Sequence, residues 1–157
     1  MQLQDAKTTL VKPIIIPDNL KKKVTILSNC DLEENEITVF NAAITAMSRY
    51  ISNNNIDLTN YSSFNIFFTY DGTLTLYEET NSNCGSQFHV AIYRMTKLRE
   101  LTSIRLMLFV FIEEMAHYFL RISDETLIKH KVTEIMQLAL PNFTIEEAKG
   151  WGLNGLQ

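Results

Sequence analysis

Apolar residues in this chain recur with two different periods, and the change from one to the other organises it. Ile37, Phe40, Ile44, Met47 and Ile51 stand three and four positions apart, which is the spacing of one helix face. Asp31 offers an N-cap with Glu34 three residues on, so the pattern predicts an amphipathic helix over 32–52. Asn53, Asn54 and Asn55 stop it, since asparagine tolerates the left-handed conformation that follows helix ends. Upstream, Lys23 to Ser28 reads as a short strand. Pro13-Ile14-Ile15-Ile16-Pro17, with its flanking prolines, reads as an edge strand or extended arm.

From Ser63 to Met95 the pattern shortens and shifts to Phe, Tyr, Thr, Ile and Val. Asp71-Gly72 marks a tight turn between Phe64–Tyr70 and Thr73–Glu78, which predicts a β-hairpin. Gln87–Arg94 follows as a third strand, with Phe88, Val90 and Ile92 alternating against His89, Ala91 and Tyr93. The expected sheet is therefore three-stranded and mainly antiparallel. Beyond it, a helix capped by Thr102 or Ser103 runs through the most apolar stretch, Leu106 to Ile112, to about Ile122. A second long helix, capped by Ser123 or Asp124, ends before Pro141, and Thr144 with Glu147 forms a capping box for a short last helix. Helix, three strands, buried helix, helix is an α+β order. It fits a single domain over 1–157, with 1–12 as a flexible arm and 150–157 frayed around Gly150, Gly152 and Gly155.

Composition changes this picture mainly by exclusion. The chain is 46% hydrophobic and 20% charged with five glycines and three prolines, which is globular composition. Net charge is −4 and the one basic cluster, Lys21 to Lys23, lacks interleaved aromatics, so nucleic acid is not an expected partner. Cys30 and Cys84 form no metal-knuckle or C-x-x-C spacing and read as free thiols. The first residues lack the basic start and apolar run of a signal peptide, and no apolar run approaches the roughly 18 residues of a membrane span. A cytoplasmic protein with no membrane partner is the expectation.

Chemistry concentrates at Phe109-Val-Phe-Ile-Glu-Glu-Met-Ala-His117. On a helix Glu113 and His117 stand one turn apart on one face, with Glu114 offset by one position. No basic residue lies three or four positions from either acid. Other chemistries lack their signatures: there is no G-x-S-x-G and no glycine-rich phosphate loop.

Residues 113 to 117 resemble the H-E-x-x-H motif of the zincin metallopeptidases with the first histidine replaced by Glu113. Met115-Ala-His-Tyr-Phe119 is similar to the usual continuation around the second histidine, and the likeness extends over about 32–140. It implies a zincin-like fold, peptide or protein as partner, and zinc or another divalent metal as cofactor. It places Glu113 and His117 as metal ligands, Glu114 as the catalytic general base, and Glu134 on the following helix as third ligand, with Glu125 second in line. Two carboxylates and one imidazole also suit iron or manganese. The added negative charge leaves a bound water less acidic, so the resemblance implies peptidase activity that is impaired or absent.

Two further readings of the same residues stand beside this one. Glu114 and His117 match the Glu-x-x-His of carboxylate-bridged di-iron bundles, but the chain has no second such pair. Alternatively the protein is a non-enzymatic cytosolic interaction module in which Glu113, Glu114 and His117 form a structural polar network, Glu113 bonding His117 across one turn and Glu114 facing solvent. Elsewhere, Lys131 can pair with Glu134, Glu125 with Lys129, and Asp124 and Glu125 can serve as first-turn acids. His130 and His89 read first as surface histidines; His89 is the one that can line a cleft.

Overall fold

The computed structural model of the chain describes residues 9–10, 13–72, 89–101 and 103–151. Its elements are β1 (Thr9–Leu10), β2 (Val24–Ser28), α1 (Glu34–Asn53), β3 (Phe64–Thr69), β4 (His89–Arg94), α2 (Met95–Leu98), α3 (Ile104–Leu120), α4 (Glu125–Ala139) and α5 (Ile145–Gly150). The α+β order expected from the sequence is present.

The sheet departs from expectation. β2, β3 and β4 are all parallel, with only the two-residue β1 antiparallel at the β2 edge. β3 pairs with β2 along one side and β4 along the other, in the register Ser28↔Phe68 and Phe68↔Tyr93. Both its edges are thus occupied, and Thr73–Glu78, the expected hairpin partner, lies outside the described residues. The physical signal is in β3 itself: Phe64, Ile66, Phe67 and Phe68 are all buried, so the strand is covered on both faces. A run without alternation is the mark of an internal parallel strand. The β2–α1–β3 segment supplies the helical crossover that parallel neighbours require.

α1, α3 and α4 pack on one another, and α3 packs against β4. Their shared core is aromatic: the Phe111 ring on α3 meets Tyr93, Phe40 and Phe68 edge-on at centroid distances of 4.9, 5.3 and 5.9 Å. Tyr93 O–H donates to the Phe111 carbonyl at 2.8 Å, which pins β4 to α3 and satisfies a buried polar group. In β4, Ala91 and Tyr93 face this core while Ile92 is 42% exposed.

Helix ends follow local chemistry. The expected Asp31 cap gives way to Glu33, whose N–H donates to Glu36 at 2.7 Å. Glu36, 2% exposed, also accepts from Arg99 Nε at 2.7 Å and Nη2 at 3.1 Å, so a tertiary ion pair fixes the start of α1. Asn55, just past α1, has φ +50°, as the asparagine run predicts. Ser103, Asp124 and Thr144 cap α3, α4 and α5 through their side-chain oxygens. Pro13–Pro17 forms no strand; Ile15 N–H donates to the Asn41 side chain at 2.8 Å and fastens this segment to α1. Cys30 is a free thiol, and Cys84 lies outside the described residues. No described helix is long and apolar enough to cross a membrane.

Candidate metal centre and adjoining cleft

α3 breaks at Leu120 and α4 begins at Glu125, so one short turn folds the two helices together. This turn brings Glu113 and His117 of α3 to the first residue of α4. One ligand atom each from Glu113, His117 and Glu125 lies within 4.8 Å of the others. His117 Nδ1 is 2.7 Å from the Ile122 carbonyl oxygen; a carbonyl only accepts, so Nδ1 carries the proton and donates. The other ring nitrogen, Nε2, lies 3.9 Å from Glu125 Oε1. Fixing one imidazole nitrogen on a carbonyl to aim the other is how metal-binding histidines are held.

Two bonds of about 2.1 Å at a tetrahedral angle put donor atoms about 3.4 Å apart. The 3.9 Å separation is within about half an ångström of that, and with all three atoms within 4.8 Å no pair needs to close by more than about 1.4 Å. The Glu125 side chain is 69% exposed and can turn to do so. The donor set fits a divalent cation of the zinc, iron or manganese type.

Electrostatics at the site are set by Glu113. Burial pushes its carboxyl above the ordinary 4.5; the charge of Lys129 is the main influence the other way, followed by smaller effects of Glu114, His117 and Glu125. Lys129 is buried on α4. No Glu113–His117 hydrogen bond forms among the described residues, His117 being engaged with Ile122 instead. Glu114 is exposed beside Glu113; after burial, its charge and then that of Glu113 hold the Tyr93 hydroxyl far above the phenolic range.

Glu134, the first choice for third ligand, is engaged elsewhere. It accepts from Tyr50 O–H at 3.1 Å and from Lys131 Nζ at 2.9 Å, the i,i+3 pair that the sequence allows. Nine residues separate Glu134 from Glu125, which is half a turn out of phase at 3.6 residues per turn; only one of the two can face α3. His130 is half-buried and lies outside the cluster.

A cleft of about 550 Å³ opens beside His117. The segment 60–62 forms one wall, His89 of β4 another, and Tyr118 and Arg121 complete it. His89 is half-buried here, with its ring 5.0 Å from that of Tyr118, so the cleft-lining alternative for this residue is the observed one. Arg121, Tyr61 and Ser62 carry no motif in sequence. The only hint is a polar residue directly after an apolar helix, at the position where a left-handed cap is common. Comparison with known proteins gives no match to this chain among family models, curated proteins or solved structures.

Proposed function

We propose that this protein is a zincin-like relative of the metal-dependent peptidases that binds one divalent cation through Glu113, His117 and Glu125 and hydrolyses peptides weakly or not at all. The observation that supports this reading is the His117 arrangement: its Nδ1–H is held by Ile122, its Nε2 lies 3.9 Å from Glu125 Oε1, and a Glu113 carboxylate oxygen belongs to the same cluster. A structural histidine needs no such pairing. A cation at this position would supply Lewis acidity to a bound water or carbonyl.

This chain's residues would shape the rest. Glu114, one position beyond Glu113 and exposed, is the carboxylate free to take a proton. Glu113 and Glu125 contribute negative charge that blunts the acidity of bound water relative to a site with two imidazoles. Binding therefore outlasts catalysis in this reading, and a peptide would approach along the cleft between β4 and α3.

Metal analysis of protein purified without chelator tests it. About one ion per chain is expected, lost in Glu113→Ala and in His117→Ala. Glu113→His should raise zinc affinity by restoring a neutral imidazole ligand. A native protein that binds no zinc, iron or manganese in a direct titration refutes the proposal.

A further inference from the structure

We infer that the cleft beside His117 is a binding site for an oxyanion, the carboxylate or phosphate group of a small ligand, and that Arg121 is its anchor. This goes beyond the metal centre, because the residues that carry it are not the metal ligands.

Charge is the first observation. The chain has a net charge of −4, yet no aspartate or glutamate lines this cleft, while Arg121 does. Among the described residues Arg121 makes no ion pair. Its guanidinium instead lies over the Tyr61 ring, 4.3 Å from the centroid, an arrangement that orients the planar fork while leaving its N–H edge open.

Donor bookkeeping is the second. Both phenols of the cleft are spent on backbone: Tyr61 O–H donates to the Phe119 carbonyl at 2.9 Å, and Tyr118 O–H to the Ser62 carbonyl at 2.6 Å. The Ser62 hydroxyl is 3.4 Å from the Tyr118 phenol oxygen and donates to it, since the phenol's own proton is on the Ser62 carbonyl. That leaves the Arg121 fork and the imidazole of His89, which has no hydrogen bond among the described residues. Both can donate. A guanidinium fork with a neighbouring N–H group matches a planar or tetrahedral oxyanion and repels a cation.

Backbone conformation is the third, and it points the same way. Arg121 has φ +54° and ψ +39° as the residue closing α3, the left-handed region where glycine sits freely and an L-residue is disfavoured by about 1 kcal/mol. The position thus holds a cation where the turn alone would favour glycine. Residues held in such conformations cluster at ligand clamps and active sites.

The test is an NMR titration of the full chain in EDTA at constant ionic strength, with three probes: inorganic phosphate, N-acetylglycine and the neutral N-acetylglycinamide. Saturating shifts at Ser62, Tyr118 and Arg121 are expected with one or both anions and not with the amide. Phosphate alone assigns a phosphate group, and N-acetylglycine alone a carboxylate; each supports the site. Arg121→Gly, which relieves the backbone conformation and so keeps the fold, should weaken anion binding at least tenfold while leaving metal content unchanged. Arg121→Lys should retain part of it. Equal anion affinity in native and Arg121→Gly protein, or equal shifts with acid and amide, overturns the inference. The metal titration of native protein is a separate readout, so failure of either reading is recognisable on its own.

Discussion

Glu113→Gln is the substitution with the clearest expected sign. Burial raises the Glu113 carboxyl above the ordinary 4.5 more than Lys129 lowers it. A carboxyl whose folded value lies above its unfolded value supports the fold fully while protonated, below the unfolded value, and loses that contribution as pH rises through the folded value. At pH 7.5 the native protein therefore holds a half-buried anion at a cost, and glutamine, similar in shape and neutral, removes it. The gain for Glu113→Gln should be of the size usual for a single substitution, of order 1 kcal/mol, or roughly 2–4 °C in Tm for a chain of this size. The assay is urea and thermal unfolding of both proteins in EDTA at pH 7.5 and again at pH 4. The difference should be present at the first pH and largely gone at the second. Adding zinc at a hundredfold excess over Kd stabilises the native protein by about 2.7 kcal/mol and should reverse the order. If Glu113→Gln is the less stable protein in EDTA at pH 7.5, the carboxylate is held by Lys129 more than it is burdened by burial, and the reasoning fails.

Glu125→Ala should weaken metal binding at least tenfold and Glu134→Ala should leave it unchanged, as isothermal titration would show; the reverse result would mean that α4 is rotated from the position described. Glu36→Ala removes a buried carboxylate from Arg99 and from the first turn of α1, and should cost about 1–3 kcal/mol in urea unfolding, since the Arg99 left behind is partly solvated; a loss below about 0.5 kcal/mol would mean that solvent already shares this pair.

What was legible in the sequence divides along one physical line, between what periodicity carries and what only long-range contact decides. Ile37 to Ile51 carries the inward face of α1. The α1 cap moves from Asp31 to Glu33 because Glu36 is also claimed by Arg99, more than sixty residues away. Ile66 to Phe68 held the right signal, three consecutive apolar residues without alternation, but Asp71-Gly72 is also a strong turn mark and suggests the antiparallel partner. At the site, Glu113 and His117 sharing a face follows from helical spacing alone. Whether Glu125 or Glu134 joins them depends on how α4 is turned against α3, which spacing along one helix does not specify. The cleft is less legible still: Arg121 owes its role to a left-handed turn that no residue type there advertises.

The hydrogen bond from His117 to Ile122 has one more consequence, for folding kinetics. The three proposed ligand residues fall within a stretch of thirteen, from Glu113 to Glu125, and this bond ties α3 to the turn that leads into α4. Closing so short a loop costs little entropy. A cation can therefore be captured by the α3–α4 hairpin before α1 and the sheet have assembled, templating that corner of the molecule early. Metal should then act mainly by speeding folding and little by slowing unfolding.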